Sequence, residues 1–401
     1  MTYIHERKDW PRFTWRVDAL AEILSAVRYQ QGLLLGRMRA LGYPLQKEAT
    51  LAALTEETVK SSAIEGEVLN PESVRSSLAR RMGLSVAGAA PIDRNIEGIV
   101  EMMLDATRNY GEPLTDDRLF GWHAALFPSG RSGIQKIRTG AWREGGIQVV
   151  SGAVGTEKVH LEAPVAERVE AEMAAFLAWF NGSEEIEPLI KAGLAHLYFV
   201  TIHPFEDGNG RIARAITEMC LARLESSAQR FYSMSSQIRE ERRSYYEILE
   251  STQKSRMDVT DWLIWFLRCL GHAIEKANAL TGSVLEKDAF WRRLKEKSIV
   301  ISDRQKKVVN MLLDAFEGKL TTEKWAKLTK SSHDTALAGH PRLNRQGDSQ
   351  TRRGRRKEYI VLPGAYWQAA AGIALTGLWR GARDIAVRLP PSAGPSFTTP
   401  P

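Results

Sequence analysis

Apolar residues recur every three or four positions through most of the chain before residue 280, and this helical period limits the possible folds more than any other feature. Alternation of apolar and polar residues, which marks a half-buried strand, is rare. The chain is therefore predicted to be mainly α-helical. The predicted helices cover residues 20–41, 48–64, 92–108, 116–127, 164–180, 188–202, 211–223, 239–252 and 259–279.

One segment departs from the helical period. Residues 139–161 are rich in glycine and β-branched residues, and the run from Gly145 to Gly152 is typical of a strand that leads into a turn. We expect a short β-hairpin here and no other β element before residue 290.

The composition is that of an ordinary globular protein, with 43 % hydrophobic and 26 % charged residues in 401. It excludes a disordered chain and a disulfide-stabilised miniprotein. The net charge of +7 is a mild excess that only weakly favours acidic partners such as nucleotides. Both cysteines, Cys220 and Cys269, lie in apolar helical patterns, which predicts buried free thiols in a reducing compartment.

Targeting signals are not evident in the sequence. The N-terminal residues lack the basic region and apolar run of a secretory signal. The apolar run from Asp261 to Leu270 is too short for a membrane span and contains Arg268. We therefore expect a cytoplasmic protein that does not interact with a membrane.

The composition becomes more basic near residue 283, where we place a domain boundary. Residues 303–316 and 322–328 are typical of the first helices of a helix-turn-helix. The helix that should follow contains Pro341, and a proline inside a helix costs about 3 kcal/mol. This winged-helix-like region is therefore predicted to be disrupted after residue 337, and the Pro-, Ser- and Thr-rich tail to be partly disordered.

The segment from His203 to Arg214 carries most of the chemical information. Gly208 and Gly210 allow backbone angles that bring successive amides together, and the helix that begins here favours negative charge at its N-terminus. Arg211 and Arg214 lie three residues apart on one side of that helix and can bind successive phosphates. The pattern predicts a site for a polyphosphate.

Two further residues of this segment predict catalysis as well as binding. The Asp207 carboxylate suits Mg²⁺, which is usually bound by one or two carboxylates together with phosphate oxygens. His203, with a pKa near neutrality, can take a proton from an attacking hydroxyl. His196 lies on the same predicted helix face as His203, but its apolar surroundings favour a structural histidine over a metal ligand.

The string His-Pro-Phe-Glu-Asp-Gly-Asn-Gly-Arg-Ile-Ala-Arg resembles the signature of the Fic/Doc (Fido) family at every fixed position. The resemblance implies transfer of AMP from ATP to a Ser, Thr or Tyr hydroxyl of a target protein, with release of diphosphate. The roles it implies are general base for His203, Mg²⁺ ligand for Asp207, α- and β-phosphate positioning for Gly208, Asn209 and Gly210, β-phosphate binding for Arg211 and γ-phosphate binding for Arg214.

The same resemblance extends to the predicted hairpin and to a later helix. The residues that match the family's flap, which covers the nucleotide and aligns the target, are Val149, Val150, Ser151 and Gly152. Tyr245 and Tyr246 match a tyrosine pair that borders the adenine pocket. The position seven beyond Tyr246, often Asn in the family, is Gln253 here.

Ser61, Glu65 and Gly66 fit the family's inhibitory pattern Ser/Thr-x-x-x-Glu-Gly/Asn. A carboxylate delivered to Arg214 would neutralise a guanidinium that the γ-phosphate needs. The alternative is an ordinary helix end, with Gly66 as a left-handed cap and Glu65 in solvent.

The resemblance implies four segments: an N-terminal helical domain with the inhibitory helix (1–85), a catalytic domain (86–282), a winged-helix-like domain (283–365) and a tail (366–401). The expected partner is a target protein, with self-modification and a homodimer also possible in such a family. Other enzymatic alternatives are removal of AMP with Glu65 as base and transfer of UMP, phosphocholine or phosphate. A non-enzymatic alternative is a DNA-binding regulator, because residues 342–357 are rich in Arg and Lys.

Overall fold

The computed structural model describes residues 2–84, 93–151, 158–183, 185–296 and 306. The helices are α1 (Val17–Ala40), α2 (Tyr43–Ile64), α3 (Pro71–Arg81), α4 (Arg94–Arg108), α5 (Asp116–Leu126), α6 (Ala166–Asn181), α7 (Pro188–Ile202), α8 (Asn209–Glu225), α9 (Met234–Glu240), α10 (Arg242–Gln253) and α11 (Thr260–Glu296). A short 3₁₀ helix (Ile4–Glu6) precedes them. The predicted mainly helical fold is confirmed.

Helices α7 and α8 pack against each other at the centre of the fold. The sequence of α7 is apolar on all sides, and its residues are buried from Leu189 to Ile202 with the exception of Lys191. Helix α8 is buried from Arg211 to Ala222, and α4 packs beside it. Because the buried start of α8 carries two arginines, their charges have to find partners within the fold.

Within the described ranges, the β structure consists of two short antiparallel pairs and one isolated bridge between Thr14 and Asp258. Strands β3 (Gln148–Ser151) and β4 (Lys158–Glu162) form the predicted hairpin, with an irregular register between Val149 and Val150. Strands β1 (Arg131–Ser132) and β2 (Gln135–Lys136) form a second pair. The expectation of a single β element before residue 290 was therefore wrong, since two-residue strands leave no alternating pattern in a sequence.

Two α-helices were not predicted, α2 begins earlier than predicted, and α11 continues to Glu296 although the pattern predicted an end at residue 279. The first unpredicted helix, α3, begins after Asn70, whose side chain accepts a hydrogen bond from the Ser73 N–H. The second, α9, is only two turns long. Helix α2 begins at Tyr43 rather than near residue 48 because Pro44 fits the first turn of a helix, where no N–H is needed.

Residues 1–281 form one compact unit and residues 282–401 a second. The first residues of the chain belong to the core of the first unit, where Trp10 packs against Phe13 and Tyr198. Cys220 and Cys269 are buried free thiols, as predicted. In the second unit the predicted helix-turn-helix and the tail lie outside the described residues. None of the helices that the structure describes is long and apolar enough to cross a membrane.

Candidate active site

The turn between α7 and α8 has a backbone shape that the sequence enforces. Helix α7 ends at His203, which has a φ of 51°, and Gly208 precedes α8 with a φ of 82°. A Cβ on Gly208 would lie 2.9 Å from Phe127 Cε2, so both the backbone angle and the available space require glycine here. The turn presents the N-terminus of α8, whose first N–H groups have no partner within the helix and attract an anion.

Asn209 holds this turn closed. Its Oδ1 accepts a hydrogen bond from the Phe205 N–H at 2.9 Å, and its Nδ2 donates to the Phe205 carbonyl at 2.8 Å. Both polar ends of this buried side chain are therefore bonded within the turn. Asn209 shapes the turn, and any effect on a bound phosphate passes through the backbone.

His203 has the geometry of a proton acceptor. Its Nδ1 lies 3.2 Å from the Val200 carbonyl oxygen, which can only accept, so Nδ1 carries the ring proton. Nε2 of the neutral ring then has a free lone pair. Burial lowers the pKa of His203 and the nearby Arg143 guanidinium lowers it further, while Glu65 and Asp207 raise it. The net shift is downward, which keeps the ring neutral at pH 7.

The Asp207 carboxylate lies at the start of α8 and is held on several sides. Its oxygens accept hydrogen bonds from Ser132 Oγ on β1 and from the Gly208 N–H. Its main-chain carbonyl lies 3.2 Å from His123 Nε2, while the Gly140 N–H donates to His123 Nδ1 at 3.1 Å, so Nε2 carries the proton. Burial lowers the pKa of His123 to about 4, and this neutral tautomer is therefore stable at pH 7.

A metal ion at this site would depend on Asp207 together with its substrate. Among the described residues no group of three or more His, Cys, Asp and Glu side chains could hold an ion. Asp207 is only partly buried, and a single accessible carboxylate fits a Mg²⁺ ion that takes its other ligands from water and phosphate oxygens.

Both arginines at the start of α8 are paired with carboxylates that follow α2. Arg214 Nη2 donates to Glu65 Oε1 at 2.7 Å, and Arg211 Nη1 donates to Glu67 Oε2 at 2.8 Å. The Arg214 side chain is only 2 % exposed. Burial alone would lower its pKa, but Glu65 together with Tyr245 and Tyr246 outweighs this effect, and the pKa of Arg214 lies above its ordinary value.

The Glu65 carboxylate occupies the space directly in front of α8. A Cβ built on Gly210 would lie 2.1 Å from Glu65 Oε1. Ser61 strengthens the contact, because its Oγ and its carbonyl accept hydrogen bonds of 2.8 Å from Arg214 Nε and Nη2. Gly66 has a φ of 88° and turns the chain away after α2. The structure thus brings the predicted Ser61 and Glu65 onto Arg214, and the predicted Gly66 makes the turn that follows them.

Each arginine also retains an unused donor. In the described part of the chain, Arg214 Nη1 and Arg211 Nε are buried without a hydrogen-bond partner. The Arg211 guanidinium lies over the Phe127 ring, 4.9 Å from its centre. Buried donors of a cation that lack a partner are costly, so these atoms would gain from an anion in the site.

Tyr245 takes part in a buried chain of hydrogen bonds that ends on α8, the helix of Arg214. Its hydroxyl lies 2.9 Å from His196 Nε2, and His196 Nδ1 lies 3.0 Å from Thr217 Oγ1. Burial lowers the pKa of His196 to about 3, and burial raises the pKa of Tyr245 although the charge of Arg214 opposes this. His196 has the predicted structural role, since both ring nitrogens are bonded. Tyr246 beside it is partly exposed and lies under Arg242.

The β3–β4 hairpin lies against α10, the helix that carries Tyr245. Glu250 on α10 accepts hydrogen bonds from Lys158 Nζ and His160 Nδ1 of β4, at 3.0 and 2.6 Å. The predicted hairpin residues within the described part are Val149, Val150 and Ser151, and Gly152 lies outside it. Gln253 is buried and donates to Thr201 Oγ1 at 3.2 Å.

Several residues of the site were missed by sequence reasoning. Glu67 lies two positions after Glu65, and an acid so close to an inhibitory pattern could have been noticed. Ser132, His123 and Arg143 are far from the motif in sequence and contact it only through the fold. His123 packs on Phe205 and also bonds to the Asp207 carbonyl.

Comparison with known proteins agrees with this geometry. The Fic/DOC family profile matches residues 113–221, which include β1 to β4, α7 and most of α8. Residues 113–221 are a Fic/DOC family domain. Residues 3–84, which contain α1 and α2, match a second family, described as Domain of unknown function (DUF4172). Glu65 thus comes from outside the part that matches Fic/DOC.

Curated relatives of this Fic/DOC protein carry two activities in their names. The uridine 5'-monophosphate transferase of Xanthomonas campestris pv. campestris is 34 % identical over 121 residues, 28 % of this chain and 22 % of that protein. The protein adenylyltransferase Fic of Nematostella vectensis is 25 % identical over 243 residues, 59 % of this chain and 51 % of that protein. The chain therefore spans about half or less of the relatives it matches.

A solved structure shares the fold of this Fic/DOC protein. The crystal structure of a Fic family protein from Desulfovibrio desulfuricans G20 superposes with a TM-score of 0.51 at 20 % identity, over 82 % of this chain and 88 % of that one. At this identity the likeness concerns the fold alone.

Proposed function

We propose that this Fic/DOC protein is an autoinhibited protein adenylyltransferase that transfers AMP from ATP to a Ser, Thr or Tyr hydroxyl of a target protein. The observation that carries the proposal is the pairing of Arg214 with Glu65 and of Arg211 with Glu67 in front of α8. Two guanidinium groups at a helix N-terminus suit a polyphosphate, and the two carboxylates compete for the same groups. The adenylyltransferase and uridylyl-transferring relatives support nucleotidyl transfer as the reaction class.

In the proposed reaction the hydroxyl of the target attacks the α-phosphorus of ATP. His203 Nε2 takes the hydroxyl proton as the new O–P bond forms, and the bond from the α-phosphorus to the bridging oxygen breaks. The electron pair leaves with diphosphate, whose charge the N-terminus of α8, Arg211 and Arg214 stabilise. Asp207 would hold Mg²⁺, which when bound neutralises phosphate charge.

Glu65 would inhibit this reaction by neutralising a charge and by occupying the space that the phosphates need. Its carboxylate neutralises Arg214 and lies against the Gly210 Cα, where phosphate oxygens would approach the helix. A nucleotide can then bind only weakly or with its α-phosphorus out of line with the attacking hydroxyl. The pair is nearly buried on the arginine side, so an unpaired Arg214 is costly and the inhibited state is favoured without a ligand.

The test uses ATP labelled at the α-phosphate. Glu65→Gly should raise self-labelling about tenfold or more, since the loss of about 1.4 kcal/mol of competing interaction changes an equilibrium tenfold. His203→Ala in the same background should abolish labelling. Equal labelling of the Glu65→Gly protein with and without His203 would refute the proposal.

The nucleotide is tested separately, because one relative is named for UMP transfer. In the Glu65→Gly protein, unlabelled UTP and ATP compete against ATP labelled at the α-phosphate. We expect ATP to compete at lower concentration than UTP. The reverse order, with UMP found on the protein by mass spectrometry, would replace AMP with UMP in the proposal and leave the site unchanged.

A further inference from the structure

Arg143 lies between the α7–α8 turn and the hairpin, and its side chain is buried although it is charged. Among the described residues, its guanidinium donates to main-chain carbonyls only. Nε bonds to the His203 carbonyl at 2.8 Å, and Nη1 bonds to the Gly145 carbonyl at 2.7 Å. Nη2 bonds to the Pro164 carbonyl at 2.5 Å and to that of Ile202 at 3.4 Å.

These four carbonyls belong to three segments of the chain, and the proposed reaction requires these segments to keep fixed positions relative to one another. Ile202 and His203 end α7, where carbonyls have no partner within the helix. Gly145 precedes β3 and Pro164 follows β4, so the same guanidinium holds both ends of the hairpin. The Arg143 N–H also donates to the Pro204 carbonyl, at 3.0 Å.

Arg143 is held by main-chain carbonyls rather than by an ion pair, which indicates what this side chain is for. No carboxylate of the described residues forms an ion pair with it, and burial lowers its pKa although the charge of Glu167 opposes this. Burying a cation in this way is costly, and the negative end of α7 offsets only part of the cost. A guanidinium has five donors in a rigid plane and can fix several carbonyls at once, which an ammonium cannot do.

We infer that Arg143 is a positioning residue for AMP transfer, which sets His203 at a fixed distance and angle from the β3–β4 hairpin. The inference rests on the proposed function for its chemistry and on the four carbonyl contacts for its geometry. The left-handed φ of His203 makes such support necessary, since a residue other than glycine at 51° is strained unless its surroundings hold it.

A purely stabilising role predicts a different outcome, and Arg118 provides the matched control. Arg118 also donates to main-chain carbonyls, those of Glu112 and Asn109 among them, but it does so at the α4–α5 contact. Replacing Arg118 should therefore lower stability without changing the reaction of the folded protein.

The experiment compares Arg143→Met, Arg143→Lys and Arg118→Met in the Glu65→Gly protein. For Arg143→Met we expect kcat for AMP transfer to fall on the order of 10- to 100-fold, as for an Ångström-scale misplacement of a catalytic group, with the Kd for ATP changed less than about threefold. Arg143→Lys should recover part of kcat, because it keeps the charge and some donors. Arg118→Met should keep the parental kcat.

Amide hydrogen exchange supplies a readout that does not depend on activity. Arg143→Met should speed exchange in residues 148–151 and around His203 by tenfold or more, and Arg118→Met should not. If Glu65→Gly transfers no AMP, the proposed function fails while exchange still tests the positioning. Unchanged exchange, or a kcat within threefold of the parent, overturns the inference. Should Arg143→Met not fold, a folded Arg143→Lys with parental kcat and exchange overturns it equally.

Discussion

Two acids, not one, face the arginines that the sequence motif supplies. The side chain of Glu67 is 39 % exposed and that of its partner Arg211 is 8 % exposed, whereas Glu65 faces an arginine that is almost fully buried. An ion pair open to water contributes less free energy than a buried one, because solvent screens the charges. Glu67 should therefore restrain the site more weakly than Glu65.

We expect Glu67→Gln to raise self-labelling about two- to fivefold, which corresponds to the loss of up to about 1 kcal/mol from a partly exposed ion pair. Initial rates with ATP labelled at the α-phosphate measure the change, and Glu65→Gly gives the larger effect in the same assay. Glu72→Gln, an exposed acid in the first turn of α3, serves as control. A Glu67→Gln rate no higher than this control would remove Glu67 from the inhibitory contact.

The pKa of His203 predicts how AMP transfer depends on pH. Burial lowers this pKa below the ordinary value of 6.5, and the unprotonated ring is the active form. The rate of the Glu65→Gly protein should therefore stay high as the pH falls through 6.5 and decline only in more acidic solution. Because Glu65 raises the pKa of His203, its removal moves the decline further toward acid.

A pH–rate profile of kcat in the Glu65→Gly protein tests the direction of the His203 pKa shift. The expected midpoint of the acid limb lies below pH 6.5. Circular dichroism at each pH provides the control, since it shows whether the protein is still folded where the rate falls. A midpoint above 6.5 in folded protein would mean that another group limits the reaction.

At the scale of elements, α2 is the helix that brings Glu65 to the site, and its own anchor lies two turns earlier. Glu57, Ser61 and Glu65 are spaced by four residues and share one face of α2. The buried Glu57 carboxylate accepts hydrogen bonds from Ser233 Oγ at 2.8 Å and from the Ser235 N–H at 2.9 Å, at the start of α9. This contact fixes the position from which α2 delivers Glu65.

Glu57→Gln should weaken this anchor and raise self-labelling while lowering stability. Removing the charge from a buried acceptor of several hydrogen bonds costs about 1–3 kcal/mol. Glu56→Gln is the matched control, because the neighbouring Glu56 is exposed, pairs with Lys60 at 3.4 Å and accepts one exposed hydrogen bond from Ser236 Oγ at 3.1 Å, which an amide oxygen can still accept. Thermal melting and labelling are measured together. A lower melting temperature with unchanged labelling would show that α2 stays in place without Glu57.

The helices and strands also show how much of the fold could be predicted from the sequence. The helical period predicted α1 and α4 to α8 because each of these helices has a long apolar face. A run of glycine and β-branched residues predicted the β3–β4 hairpin. Helix α9 and strands β1 and β2 are too short to repeat any period. The motif predicted the cradle at α8, but Arg143 and Ser132 act through contacts across 60 and 75 residues, which no local pattern records.

At the scale of the molecule, the parts that match two different families form one unit. Residues 3–84 and 113–221 match separate profiles, yet residues 1–281 are a single compact body. Glu65 and the arginines it faces come from different profiles. The proposed inhibition thus needs both parts in one unit, and we expect the two parts to share their stability.

The first residues of the chain allow a test of whether the two parts share their stability. Trp10 packs against Phe13 and Tyr198, with ring centres 5.5 and 5.1 Å apart, and its Nε1 donates to Glu172 Oε2 at 2.7 Å. Because Tyr198 lies in α7, loss of Trp10 acts on the centre of the fold. Trp10→Ala should lower the free energy of unfolding by about 3–5 kcal/mol, the cost of removing a large packed aromatic side chain.

Urea unfolding followed by circular dichroism measures this loss, with Tyr29→Ala as control because Tyr29 is 69 % exposed on α1. If the N-terminal and Fic/DOC parts unfold together, Trp10→Ala shifts one transition as a whole and Tyr29→Ala leaves it within about 0.5 kcal/mol. Two separate transitions, of which only one responds to Trp10→Ala, would mean that the parts are independent. Glu65 would then be able to leave Arg214 by movement of a separately folded domain.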